Sequence, residues 1–265
     1  MKSFVFAALG LIVLNGTVQA QAVGSVGAVN QSATSTPPGG ATKPLSFGAG
    51  VVQRERITTS DSGSAQITFL DKATMSIGRN SSVVIDKFAY DSAAGRGEMA
   101  ASLSKGVLRF VGGQISHSVG AVVKTPVATI GIRGGVMTLI TGQGCGVMAI
   151  GHFGQTTISN NVSSQTISRP GFAVCVGGAN DPIPAPTPVQ REILDRAITM
   201  LTSGPGQNGG VANPPGNAQA QNQNIGRPRL PPDIPYRHDL IQRGDAMPGS
   251  IKLEKYPNYP GTGGP

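Results

Sequence analysis

Between Ser46 and Gly178 the chain is cut into short apolar runs, and nothing else in the sequence restricts its fold as strongly. "AQITFLD" (65–71), "TMSIG" (74–78), "SSVVIDKFAYD" (81–91), "VLRFVG" (107–112) and "AVVKT" (121–125) are β-branched or alternating, and each is bounded by Gly, Asp, Asn or Ser. Runs of this kind with turn residues between them spell strands. "GGVMTLITG", "CGVMAIGHFGQTTISNN" and "SQTISRPGFAVCVGG" carry the same texture to Gly178. The expected fold class is all-β. Glycines recur at roughly ten-residue intervals, as turns between short strands do, which suggests rungs that each turn a corner in a solenoid-like β-helix or β-roll. A β-sandwich is the alternative. One face of each strand must be buried, and Ile67, Phe69, Met75, Ile77, Val107, Leu108, Phe110, Val136 and Leu139 are the expected core positions.

The flanks have a different character. Lys2, the apolar run "SFVFAALGLIVL", Asn15-Gly16 and the successive "VQA" and "AQA" have the layout of a signal peptide over residues 1–20, with cleavage after Ala20 or, alternatively, Ala22. The run is too short for a membrane span, so no span is expected in the mature chain, and the protein is expected to be exported, periplasmic or secreted. Residues 21–45 are small, polar and interrupted by Pro and Gly, as in a flexible leader. After the stiff "DPIPAPTP", residues 187–203 read as an amphipathic helix. Thr187 is its cap, Pro188 its first residue and Gln190 the partner in a capping box, with Glu192 one turn before Arg196. Ile193, Leu194, Ala197, Ile198 and Leu201 form its apolar stripe, suited to docking on the chain's own domain. Residues 204–265 are rich in Pro, Gly, Asn and Gln, a composition that predicts a disordered tail.

The formal net charge is +8, and residues 46–178 hold eleven Lys and Arg against six Asp and Glu. These cations are scattered singly with few aromatics between them, whereas a nucleic-acid surface clusters them; no nucleic-acid partner is expected. His117, His152 and His238 have no metal-ligand spacing, and no Cys-x-x-Cys occurs. No Gly-x-Ser-x-Gly, Walker loop or His-Glu-x-x-His is present, and "GIRGG" lacks the Lys and helix that follow a phosphate loop. No catalytic residue, cofactor or metal is therefore assigned. Cys145 and Cys175 are the two cysteines, and in an oxidising compartment they are expected to pair as one disulfide. Asp71 heads a turn, where its carboxylate can bond the backbone.

Read in order, "GVVQRERITTSDSGSAQITFLDKATMSIGRNSSVVIDKF" resembles the opening of the FecR domain, with Thr59, Gly63, Phe69, Asp71, Met75, Ile77, Asn80 and Ser81 at the motif positions. "GVLRFV" with Gly106 is similar to the family's next strand. "VKTPVATIGIRGG" is similar to its most specific motif, through Thr125, Pro126, Gly131, Arg133 and Gly134, and "SQTISRPGFAVCV" to its closing strand, with Gly171 as the turn. The departures are Lys72, where the family usually has Gly, and Gly135, where it usually has Thr. The resemblance covers residues 46–178.

It implies a β-rich periplasmic module with parallel, solenoid-like strands. In the family's founding ferric-citrate regulator such a module receives a signal from an outer-membrane transporter and passes it to a cytoplasmic sigma factor. This sequence has the module without a cytoplasmic N-terminal helical segment, so a non-enzymatic exported binding or sensing element with an envelope protein partner is expected. A structural or adhesive spacer and a polyanion or carbohydrate binder are the alternatives. Within the motif, Thr125-Pro126 is expected to start a strand and Gly131, Gly134 and Gly135 to allow positive φ or close approach. Arg133 is expected to fold its guanidinium over the corner onto several carbonyls, a structural role preferred here to partner contact.

Overall fold

The computed structural model describes residues 21–30, 32–142, 144–202 and 207–209. The expected signal peptide and most of the expected tail lie outside these residues. The chain begins with β1 (Ala22–Asn30), β2 (Ala33–Thr36), the two-residue β3 (Lys43–Pro44), β4 (Gly50–Val52) and β5 (Arg56–Thr59). The run continues with β6 (Ala65–Phe69), β7 (Thr74–Ile77), β8 (Ser82–Asp91), β9 (Arg96–Lys105) and β10 (Val107–Val111). After a short helix α1 (Gln114–Ser118) come β11 (Ala121–Lys124), β12 (Thr129–Gly142), β13 (Cys145–Ser159), β14 (Ser164–Ile167) and β15 (Phe172–Val176). A two-residue β16 (Thr187–Pro188), helix α2 (Arg191–Leu201) and β17 (Gln207–Gly209) complete the described elements.

All strands belong to one hydrogen-bonded sheet. One arm runs β1–β6–β7–β10 and reaches the second half of β12 through Val107↔Ile140 to Val111↔Val136. The other arm runs β2–β5–β8–β9–β11 and reaches the first half of β12 through Ala121↔Ile132 to Lys124↔Thr129. The long β12–β13 hairpin spans both arms, so the open sheet curls around a single core. Val26, Ile67, Phe69, Met75 and Phe110 enter that core from one arm and Ile57, Ile85, Leu103, Ile130 and Ile132 from the other. Of the expected core positions all are buried except Val136, which is half-buried. Val107 lies on the opposite face, in a second cluster under α2.

Three expectations require correction. The solenoid of parallel rungs is not what forms: among the described ladders only β9–β11 is parallel. The glycines that suggested rung corners instead close hairpins, as at Gly95 and Gly142, or carry the chain from one arm to the other, as at Gly78 and Gly106; a tight hairpin turn can join only antiparallel neighbours. Residues 22–36 are not a flexible leader, because β1 pairs with β6 and β2 with β5. Val23, Val26, Val29 and Ala33 are buried there, and the missing side chain of Gly24 admits the Thr68 carbonyl, so small residues read as a linker are close-packed strand. The helix begins at Arg191, with Gln190 as N-cap and no side-chain capping bond. Thr187 and Pro188 are held extended by pairing with Ala173 and Phe172, and the Val189 N–H donates to the Gly171 carbonyl at 2.8 Å.

Helix α2 covers the outer face of the sheet over Val107, Ile140, Ile150 and Ala173, with Ala197 at the centre of the contact. Ile198, expected in the apolar stripe, faces outward and is exposed. The Met200 carbonyl accepts the Arg79 N–H at 3.0 Å, which ties the helix end to the β7–β8 turn. The Pro-rich stretch before the helix covers the β14 edge. Ile183 is buried and donates its N–H to Ser163 Oγ at 2.8 Å, and Asn160 Nδ2 donates to the Asp181 carbonyl at 2.6 Å. Covering a sheet edge with Pro-rich chain blocks pairing with other strands.

Candidate interaction surface

The motif residues of the first half are absorbed by the fold. Thr59 Oγ1 is buried, donates to the Gly78 carbonyl at 2.6 Å and accepts the Ser81 N–H at 2.9 Å. Ser81 Oγ accepts the Val107 N–H at 2.9 Å and has the Arg79 carbonyl within 3.0 Å. Gly106, at φ 95, lies so close to Ser81 that a side chain there would collide with it. Asp71 is buried at the β6–β7 turn. Its Oδ1 accepts the Ala73 N–H at 3.0 Å and its Oδ2 the Ile115 N–H at 3.2 Å, which fastens α1 to the turn. Lys72, at φ 71, adopts the left-handed backbone that favours Gly.

The second half of the motif builds a bent corner. Thr125 and Pro126 do not start a strand; they form the turn of the β11–β12 hairpin. The Thr125 N–H donates to the Ala128 carbonyl at 2.8 Å, and Thr125 Oγ1 accepts the Ala128 N–H at 3.1 Å. Pro suits the second position of such a turn because its φ is fixed. After five residues in register, Thr129 to Arg133, β12 bulges against β13, with register breaks between Arg133 and Val136 and between Val136 and Met137. Gly134 (φ 61), Gly135 (φ 90) and, opposite them, Gly154 (φ 79) supply the backbone this bend needs. A side chain at Gly135 would strike the Phe153 carbonyl. Gly171, at φ 78, turns β14 into β15 as expected of a Gly there.

Arg133 does not do what was expected of it. Its side chain is exposed, and no hydrogen bond or ion pair of its guanidinium occurs among the described residues. The corner's backbone is already paired: Arg133 faces Gln155 in the ladder, and the Gly135 carbonyl accepts the Gly112 N–H at 2.8 Å. Among the described residues no carbonyl of the corner receives the Arg133 guanidinium. Around it lies an outward-facing apolar group that sequence reasoning missed. Phe153 is 67 % exposed, Val119 63 % and Val111 36 %, with Val111 and Phe153 both paired to Val136. The bulge aims Phe153 outward, as bulges commonly re-aim a side chain. The signal available in the sequence was the pair of glycine-rich steps, "RGGV" and "HFGQ", that face each other across the hairpin.

A groove of about 490 Å³ opens beside Arg133, floored by Ala100, Val122 and Gly131 and rimmed by Glu98 and Gln155. Glu98 is paired with Lys87. A second groove, of about 440 Å³, lies between Arg54, Leu70, Phe88 and Tyr90. On the outer sheet face His152 is half-buried, with Nε2 2.9 Å from Thr138 Oγ1. Burial, and secondarily the Arg109 guanidinium, holds its pKa below the ordinary imidazole value. Among the described residues no group of three or more His, Cys, Asp and Glu could hold a metal ion. Cys145 and Cys175 form the disulfide, with Cα atoms 5.7 Å apart, joining the tip of the β12–β13 hairpin to β15. No described helix is long and apolar enough to cross a membrane.

Residues 55–149 match the model of the family described as FecR protein. No curated protein matches the chain significantly. Two crystal structures of a candidate anti-sigma factor from Parabacteroides distasonis ATCC 8503, at 2.50 and 1.65 Å, are similar to part of it. The first is 14 % identical over 54 % of this chain and 63 % of its own, with a TM-score of 0.43. The second is 12 % identical over 54 % and 64 %, with a TM-score of 0.41. The chain thus spans less than two thirds of the length of those proteins.

Proposed function

We propose that this chain is an exported, non-enzymatic FecR-type module that binds a protein partner in the cell envelope through the β12–β13 corner. The observation that carries this reading is the division of labour within the motif. Asp71, Thr125, Pro126, Gly134 and Gly171 each meet a local demand of the fold, whereas Arg133 meets none and stands in water on the same bulged corner as an exposed Phe. Exposed aromatic and Arg side chains at the centre of a surface are the residue types that dominate protein–protein recognition. The disulfide supports export, since such bonds persist in oxidising compartments. The FecR match over residues 55–149 supports a regulatory role in signal sensing, which suits a binding module with no catalytic constellation among its described residues.

A tagged full chain recovered from its native envelope tests the reading. One stoichiometric partner is expected, lost with Phe153→Ser. A chain that recovers no partner in stoichiometric amount behaves as a spacer, and the reading fails.

A further inference from the structure

We propose that the groove beside Arg133 receives an extended peptide segment of a partner protein, with Arg133 holding a carboxylate of that segment; this rests on the partner-binding reading above. Gly131 is the first reason. It sits in the interior of β12, where a glycine weakens a strand. Nothing in the fold requires it: its φ is not positive, and a Cβ placed there would meet only the Thr157 carbonyl, at a comfortable 3.9 Å. The physical consequence of the missing side chain is an open groove floor, continued by the small Ala100 on β9 and bounded by Val122 on β11. Bare strand at such a point lets another backbone approach closely.

The second reason is a free edge at the groove's side. β8 pairs with β9 from Arg96 to Lys105, but β11 covers the other side of β9 only from Met99 to Ser102. Along Arg96–Glu98 the backbone groups that point away from β8 therefore have no strand partner among the described residues. An extended chain satisfies such groups by strand addition. The third reason is charge. Lys87 neutralises Glu98 on one rim, which leaves Arg133 as the uncompensated charge on the other, and its fork of donors suits a carboxylate.

The test immobilises the full chain and exposes it to two pools of acetylated, amidated hexapeptides. The pools are random except for one fixed residue, Asp in one and Asn in the other, and retained peptide is measured by mass spectrometry. The unaltered chain should retain the Asp pool about tenfold better, the ratio one charge-assisted pair supplies. Gly131→Val should lose that retention while melting no lower than the unaltered chain, because Val favours strand and fills the groove. Arg133→Gln, at an exposed position, should retain the two pools equally. Equal retention of the Asp pool by the unaltered chain and Gly131→Val would overturn the proposal. So would concentration-dependent dimerisation abolished by Gly131→Val, which would put a second copy in the groove. Loss of the peptide preference with the envelope partner still co-purifying would discard the groove alone and leave binding through the corner standing.

Discussion

Asp71 and Lys72 share one turn and make opposite demands on it. The buried Asp71 carboxylate takes backbone N–H groups from Ala73 and from Ile115 of α1. Asp71→Ala leaves both donors unpaired, at about 1–3 kcal/mol each, and urea unfolding should show a loss in that range or beyond. Lys72 is exposed and left-handed, so Lys72→Gly should stabilise by about 0.5–1 kcal/mol, as relief of αL strain exceeds the added chain entropy. Lys72→Ala should show no such gain, since Ala carries the same Cβ. His152 makes the residue-scale account depend on pH. Its folded pKa lies below the ordinary value of 6.5, so the unfolded chain binds the proton first as pH falls. Its contribution to stability is complete above about pH 6.5 and is lost as pH falls through the folded pKa. Melting temperatures from pH 8 to 5 should fall more steeply for the unaltered chain than for His152→Gln.

At the scale of elements, the β12–β13 hairpin carries both arms of the sheet, and the disulfide fixes its tip to β15 across a separation of 30 residues. Replacing both Cys145 and Cys175 by Ser should cost about 3–4 kcal/mol in the chain-entropy account, read as a lower urea midpoint. The strands from β6 to β8 and from β10 to β11 are legible because each is a β-branched or alternating run between turn formers. β1 was not, because Ala, Gly and Ser in "AVGSVGAVN" look like linker until a neighbouring strand shows how closely it packs. Strand direction was equally hidden: a glycine marks where the chain turns, and only the pairing decides whether the next strand returns beside the last or stacks above it. The start of α2 was misread for a related reason. Thr187 and Pro188 are good cap chemistry, but their pairing with β15 holds them extended. Of the corner, the glycines were legible from local backbone rules, whereas Thr125-Pro126 was misread as a strand start because Pro is as compatible with extended chain as with the second position of a turn. The exposure of Arg133 and Phe153 was not legible, because it depends on the bulge and on carbonyls already paired across the sheet.

Across residues 46–178 the molecule presents more positive charge than its composition suggests. Glu55 and Asp71 are buried, while no Lys or Arg of residues 46–178 is, so the module's surface is basic and suited to an acidic partner. Raising salt should therefore slow association with the envelope partner more than it speeds release, a difference readable in binding kinetics. On this account residues 55–149 hold the motif that shapes the module, and the corner the motif builds is turned toward another protein. Site-specific photo-crosslinking in cells tests that claim most directly, with a benzophenone amino acid placed at Phe153 and, as controls on other exposed faces, at Lys72 and Lys105. The account predicts one discrete protein adduct from position 153, weakened by Arg133→Gln and absent from both controls. No adduct at 153, or the same adducts from all three positions, would contradict it.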